Sequence, residues 1–316
     1  MSDRYLVTGG AGFIGCNIVR RLLEQGHTVR VLDNLSTGMR ENLADLDIEL
    51  IEGDLTSFHI VQRSIAGVDY VLHQGALPSV PRSIKDPIAS TNVNVMGTLN
   101  VLTAAHEAGV KRVVYASSSS VYGDTPELPK DEAMLPAPKS PYAASKLAGE
   151  YLCRVFFHTY GLETVILRYF NVFGPYQNPR SQYSAVLPKF IVAALRDDPV
   201  VIHGDGTQSR DFTFIENVVN ANLAATTAPV EALGRPINVA CGERHSLLDF
   251  VSALEGLLGK NLRRSFEDRR PGDVEHSLAD ISLARKLLGY TPTVYFEEGM
   301  RRTLQSYGQV ESLHRA

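Results

Sequence analysis

Tyr142 and Lys146 stand four residues apart, in the run Tyr142-Ala143-Ala144-Ser145-Lys146. Four residues is the spacing that puts two side chains on one face of a helix. A phenol in that position can act as a proton-removing base if a nearby ammonium stabilises its phenolate, which otherwise forms only near pH 10. Alone, the spacing equally describes a half-buried aromatic beside a solvated lysine, so its meaning depends on what surrounds it.

The first such surrounding is Thr8-Gly9-Gly10-Ala11-Gly12-Phe13-Ile14-Gly15, which follows an apolar run and opens an amphipathic one, with Gly9, Gly12 and Gly15 three apart. Glycines let a backbone approach a pyrophosphate, and a helix N-terminus offers free N–H groups and a positive dipole end, so the segment reads as a phosphate-binding turn. Asp33 ends the next apolar run, 18 residues past Gly15. A carboxylate there is expected to accept from adenosine ribose hydroxyls and to repel a 2′-phosphate, which selects NAD over NADP. The bland alternative is a turn aspartate at a strand end. Asp54 and Leu55, at the end of a third such run, are expected to flank the adenine.

These groups need a frame that brings them together. Short β-branched runs at 5–8, 29–33, 48–52, 70–73, 113–117 and 164–167 read as buried strands. Amphipathic stretches at 13–25, 91–108 and 141–160 read as helices, each closed by a glycine at 26, 109 or 161. Alternating strands and helices predict an α/β fold of the Rossmann type, a doubly wound parallel sheet with ligands at the carboxyl ends of its strands. Beyond residue 168 the texture changes, with loops rich in Pro, Gly, Asn and Arg at 171–180, 204–211 and 269–273. The expectation is a dinucleotide-binding domain over 1–167 and a smaller substrate-binding lobe over 168–316, with some late segments returning to the first domain.

Composition narrows the partners. The chain has 316 residues, 44% of them hydrophobic, and 31 basic against 35 acidic side chains leave a net charge of −4. No basic surface for nucleic acid and no membrane-binding pattern is expected. Cys16, Cys153 and Cys241 are widely spaced and form no CxxC, which predicts free thiols in a reducing cytoplasm, no disulfide framework and no metal site.

With these pieces placed, the chain resembles the extended short-chain dehydrogenase/reductase family, in its NAD-dependent sugar epimerase and dehydratase branch. The likeness spans nearly the whole sequence. It rests on the glycine turn, Asp33 to Gly38, the serine run 117–120 before Val121-Tyr122-Gly123, Tyr142 to Lys146, Arg168 to Asn171, Ser209 to Phe212 and Arg270 to Asp273. Within that branch it is most similar to UDP-sugar 4-epimerases, above all those acting on UDP-N-acetylglucosamine. Gly75 departs from the alanine usual there.

The resemblance implies roles. Tyr142 would remove the sugar 4-hydroxyl proton as hydride leaves C4 for NAD, Ser118 would relay that proton, and Lys146 would hold the nicotinamide ribose and, with the positive nicotinamide ring, lower the Tyr142 pKa, with Asn94 positioning its end of the network. Phe13, Ile14, Asn34, Ser36, Thr37, Gly38, Gln74, Gly75, Ala76 and Phe170 join the implied cofactor contacts. Arg210 and Arg270 would clamp the UDP diphosphate, helped by Asn171, and Asp273 would bind a uridine ribose hydroxyl. Gln177, Ala185, Val186 and Ser277 would line the sugar pocket. Ser277 stands where epimerases restricted to glucose and galactose place a bulky tyrosine, and its small side chain leaves room for an N-acetyl group.

Family members that eliminate water carry an Asp-Glu pair after the catalytic hydroxyl, whereas Ser119 and Ser120 stand here, which favours epimerisation through a transient 4-keto sugar. Other nucleotide-sugar chemistry, such as UDP-glucuronate 4-epimerisation, is the alternative enzyme reading. A silent NAD-binding sensor is the non-enzyme one, disfavoured by intact Tyr142, Lys146 and Ser118. The family also pairs subunits through the 91–108 and 141–160 helices, which implies a homodimer built on a four-helix bundle.

Overall fold

A computed structural model describes residues 2–178, 186–268 and 275–315, with side chains to 308. Seven strands form its central sheet: β1 Arg4–Thr8, β2 Thr28–Asp33, β3 Glu49–Glu52, β4 Tyr70–His73, β5 Arg112–Ser118, β6 Glu163–Tyr169 and β7 Pro236–Val239. Their order is β7-β6-β5-β4-β1-β2-β3 and every pairing is parallel. Helices cover both faces, so the strands must be apolar on both sides, and β5 and β6 are buried along nearly their whole length. This is the doubly wound Rossmann-type fold read from the sequence.

Strand order reverses between β1 and its neighbours β2 and β4. At such a switch point the connections leave in opposite directions and open a crevice at the carboxyl ends of the strands. The glycine turn leaves β1 at that point, Asp33 ends β2, and Ser118 ends β5.

One strand joins the sheet from late in the chain, and two differences from the sequence reading have local causes. The chain returns to the sheet as β7 after a long excursion from β6, and β7 pairs with β6 over Pro236–Val239. The 91–108 helix begins earlier, at Pro87, because the Asp86 side chain accepts from Ala89 N–H at 2.9 Å and Pro87 suits the first helical position. It is also not uniform: Asn92–Met96 is a π turn between two α segments, the kind of bulge that redirects a side chain.

The helix Pro141–Tyr160 follows the expected bounds. Ser140 caps it by accepting from Ala143 N–H at 3.1 Å, a contact worth about 1 kcal/mol. Gly161 closes it in the left-handed region at φ 73°. Ala143, Lys146, Gly149, Glu150, Cys153 and Phe156 form its buried stripe against the sheet. Gly149 permits the contact, since a Cβ there would lie 2.1 Å from the Tyr115 hydroxyl on β5.

Candidate active site

One cavity of about 1480 Å³ opens at the carboxyl ends of the strands and runs from the glycine turn to Arg210 and Ser277. It is lined by all the described residues expected at the site except Asn94. Ala185, Arg270 and Asp273 lie outside the described residues.

At one end the backbone is packed too closely for side chains. A Cβ on Gly15 would stand 2.2 Å from the Gly9 carbonyl oxygen, and one on Gly9, whose φ is +67°, would stand 2.7 Å from Gly75 Cα. The helix Phe13–Glu24 starts at Gly12 with no side-chain cap. Its first-turn N–H groups therefore face the cavity wall formed by Gly12 to Gly15. This cradle fits a pyrophosphate. Asp33 is buried beside it, and each carboxylate oxygen already accepts one backbone N–H, from Ala11 at 2.9 Å and from Leu35 at 2.8 Å. Burial pushes its pKa up while those two bonds oppose the rise. A carboxylate has about four lone-pair sites, so a ribose diol remains within its capacity. Asn34 and Asp54, joined at 2.7 Å, extend the same rim.

Gly75 carries its own explanation. A Cβ there would meet Leu55 Cδ1 at 2.7 Å and Thr8 Oγ1 at 3.1 Å, so the lost methyl matches a leucine leaning into the space. The Gly75 N–H donates to Thr8 Oγ1 at 3.1 Å, and that hydroxyl lies 2.6 Å from His73 Nδ1. On the other side His73 Nε2 lies 3.1 Å from Thr98 Oγ1, which donates to the Asn94 carbonyl at 2.6 Å. The Thr98 proton is thus committed, so Nε2–H donates to Thr98 and Nδ1 accepts from Thr8. Burial holds the His73 pKa down to about 3, with the Lys146 charge acting in the same direction, so the ring is a neutral strut.

The reacting end centres on the Pro141–Tyr160 helix. Ser118 and Tyr142 both line the cavity, with the Ser118 hydroxyl close enough to the phenol to oppose the rise of its pKa, and Ser118 Oγ accepts from Ser120 N–H at 3.2 Å. The buried Lys146 Nζ donates to the Ala116 carbonyl at 2.7 Å and sits 5.1 Å from the Tyr115 ring centroid. Burial lowers its pKa to about 8. Negative charge on its own helix opposes the fall. Cys153, pushed far up by burial, is a neutral thiol, which leaves the Glu150 carboxylate as the group that acts.

Two of the expected groups stand as follows. Burial raises the Tyr142 pKa and the Ser118 hydroxyl opposes the rise, while the Lys146 ammonium donates to the Ala116 carbonyl. Asn94 does not line the cavity and bonds the neighbour of Lys146 rather than Lys146 itself. Its buried amide accepts from Leu77 N–H at 2.7 Å and donates to Ser145 Oγ at 3.0 Å. The π turn swings it there, so that it ties the Gln74–Leu77 wall to the Tyr142 helix.

At the far end the second half of the chain is laced together. Asn171, at φ 32°, donates to Ser277 Oγ at 3.1 Å and to the Asp211 carbonyl at 3.3 Å. Ser277 N–H donates to the Ser209 carbonyl at 3.0 Å. Ser277 is buried at 8% exposure, which excludes the exposed loop serine it could have been. The Arg210 guanidinium lines the cavity and donates to the Ser209 and Glu275 carbonyls at 2.9 and 3.0 Å. Gln177, Val186 and Phe170 also line the cavity.

Arg82, Lys130 and Lys189 also line the cavity and were missed. They lie outside any recognisable spacing, and only the fold gathers them. Lys130 is 2% exposed and donates to Thr125 Oγ1 at 2.5 Å.

A model of the NAD dependent epimerase/dehydratase family matches residues 5–240. The chain is 37% identical over 315 residues to the UDP-glucose 4-epimerase of Mycolicibacterium smegmatis, covering 96% of this chain and 98% of that protein. Among solved structures it is similar to the UDP-N-acetylglucosamine 4-epimerase of Methanobrevibacter ruminantium in complex with UDP-N-acetylmuramic acid. That likeness has a TM-score of 0.92 and 38% identity, covering 98% of this chain and 99% of the other. It is also similar to the UDP-glucuronic acid 4-epimerase of Bacillus cereus in complex with UDP-glucuronic acid and NAD, with a TM-score of 0.90 and 34% identity, covering 97% and 99%.

Proposed function

We propose, from the premise that the chain belongs to the NAD-dependent epimerase/dehydratase family, that it inverts C4 of a UDP-sugar and that UDP-N-acetylglucosamine and UDP-N-acetylgalactosamine are its substrates, with UDP-glucose and UDP-galactose also accepted. The coarser statement stands on the relatives: the enzyme is an NAD-dependent UDP-sugar 4-epimerase, an isomerase. One observation carries the mechanism. The Ser118 hydroxyl, the Tyr142 phenol, buried Lys146 and the glycine cradle share a single cavity.

NAD would supply the hydride acceptor and, once bound, a positively charged ring. Gly9 to Gly15 would hold its pyrophosphate, Asp33 its adenosine ribose and Lys146 its second ribose. Tyr142 would take the 4-hydroxyl proton through Ser118, whose hydroxyl accepts from the sugar oxygen and donates its own proton to the phenolate. The hydride that leaves C4 returns to the opposite face of the 4-keto sugar. Ser119 and Ser120 line the cavity where eliminating relatives need an acid and a base, and hydroxyls do not serve for C5 deprotonation.

Ser277 supports the N-acetyl reading. It is buried, lines the cavity and is oriented by Asn171, so its short side chain leaves wall space next to the sugar end. The experiment is to incubate the protein separately with UDP-GlcNAc, UDP-glucose and UDP-glucuronate and resolve the C4 epimers. Fastest turnover of UDP-GlcNAc is expected; faster turnover of UDP-glucuronate would replace the assignment.

The enzyme is further read as a homodimer. Met96, Tyr151, Val155 and Tyr160 are exposed on the two helices expected to pair, and Tyr151 and Val155 share a face by their spacing of four. The mass in solution should be twice the chain mass of 34.7 kDa; a monomer would contradict this. The free, buried Cys16, Cys153 and Cys241 support a reducing, cytoplasmic setting. Among the described residues no helix is long and apolar enough to cross a membrane.

A further inference from the structure

Three successive residues of β5 grip one face of the Pro141–Tyr160 helix. The Ser118 hydroxyl lies by the Tyr142 phenol, Ala116 accepts from Lys146 at 2.7 Å, and between them Ser117 Oγ donates to Glu150 Oε1 at 2.5 Å. Tyr142, Lys146 and Glu150 are each four residues apart, so the three rungs stand one helical turn above another. The upper two contain the groups assigned to the reaction. The third has no role in it.

Glu150 is held from a second strand as well. Arg168 Nε donates to its Oε1 at 2.9 Å and Arg168 Nη2 to its Oε2 at 2.7 Å, a two-pronged pair with both side chains 3% exposed. Arg168 is the direct cross-strand partner of Ser117 in the β5–β6 register. Its guanidinium carbon lies 4.7 Å from the Tyr122 ring centroid, and the Tyr122 hydroxyl donates to Asn238 at 2.7 Å on β7. One carboxylate thus joins the helix to β5 and β6, directly behind the cavity. Such a pair is a poor choice for stability alone, because desolvating two charges offsets their attraction and apolar side chains of equal volume commonly serve as well. Its advantage is fixed direction.

We propose that Glu150, pinned by Arg168 and Ser117, is a positioning residue of the reaction: it fixes the register of Tyr142 and Lys146 on the end of β5 and places a carboxylate one turn behind the Lys146 ammonium. The inference rests on the role assigned to Lys146 above. The groups facing that ammonium are few. Its own helix contributes Glu150 and Cys153, β5 contributes the Tyr115 ring, and β4 contributes His73. His73 and Cys153 are neutral, so among the described residues the Glu150 carboxylate is the charge that favours the ammonium.

The test is Glu150→Gln in the NAD-loaded enzyme. The amide keeps the shape and an acceptor for Ser117 and Arg168 but removes the charge. Two readouts are followed: the Lys146 titration by NMR of 13Cε-lysine-labelled protein, and the pH profile of kcat with the best UDP-sugar. The Lys146 midpoint and the alkaline limb should both move to lower pH by about half a unit or more, a factor of about three in the proton equilibrium. At the optimum kcat should fall by about tenfold with KM changed less than about threefold, the pattern of lost alignment in the transition state. A folded variant with an unmoved Lys146 midpoint overturns the proposal. If Glu150→Gln fails to fold, the double variant Glu150→Gln/Arg168→Met, which leaves no unpaired charge, should show the same shift. Failure of both to fold, or a double variant with an unmoved midpoint, makes the pair a folding staple and also overturns it. The NMR readout needs no turnover, so wild-type protein inactive on every UDP-sugar would sink the function assignment while this result still stands or falls by itself.

Discussion

Tyr142→Phe should lower C4 epimerisation by about 10³-fold or more while NAD stays bound at wild-type stoichiometry. The size follows from general acid–base catalysis, where a positioned group contributes about 10² to 10⁴. The selectivity follows from geometry. The phenol meets Ser118 at the reacting end of the cavity, whereas the pyrophosphate cradle is built from backbone at Gly9 to Gly15 and is untouched by the change. Phenylalanine preserves the ring volume, so the helix face keeps its packing. Turnover assays with NAD content measured by absorbance after denaturation check both halves. A variant within tenfold of wild type would remove Tyr142 from the mechanism. The sign of its pKa matters here. Burial moves the phenol above its ordinary value of 10.0, so the protein groups alone keep it protonated at neutral pH, and its service as a base depends on the charge that arrives with the cofactor.

Lys146→Met should cost about 10²-fold in kcat and weaken NAD retention, yet leave the thermal midpoint within a few degrees. The ammonium is 4% exposed and its pKa is lowered to about 8 by burial, which means that the fold bears a cost to keep it charged. Methionine removes that cost and leaves only the Ala116 carbonyl without its 2.7 Å donor, a loss of about 1 kcal/mol. Activity and stability therefore part company, which a merely structural lysine would not produce. The same shift sets a pH limit. A lysine with a depressed pKa holds its proton below that value and loses it above, so kcat/KM in wild type should fall as pH rises through about 8. Lys146→Met should lose this alkaline limb. Calorimetry, NAD content and a pH profile from 6 to 10 measure the three effects; a destabilised variant with an unchanged profile would reverse the assignment.

Much of this site is legible in the sequence, and the reason is local. Strands buried on both faces must be continuous apolar runs, a helix in contact with a sheet must carry a stripe, and a phosphate turn needs glycines where backbone meets backbone. Each of these leaves a mark within a few residues, as at Thr8 to Gly15 and Tyr142 to Lys146. What escaped the reading depends on distant partners. Asn94 carries the right residue type, but the π turn at Asn92–Met96 sends its amide to Leu77 and Ser145. The carbonyl that holds the Lys146 ammonium belongs to Ala116, 30 residues away. The Glu150–Arg168 pair joins a helix to a strand 18 residues on, and nothing near either residue announces it. Lys130 reaches the cavity only because its backbone pairs with Leu278 and Asp280.

The claim at the centre is that hydride leaves C4 and returns to C4 without exchange. It is tested most directly by running the reaction in D2O with UDP-GlcNAc, then with UDP-glucose and UDP-glucuronate, and reading the C4 position of the product epimer by proton NMR. The mechanism predicts an epimer that keeps protium at C4, with no deuterium at C5. Deuterium at either carbon, or no C4 epimer from any of the three sugars, would contradict it.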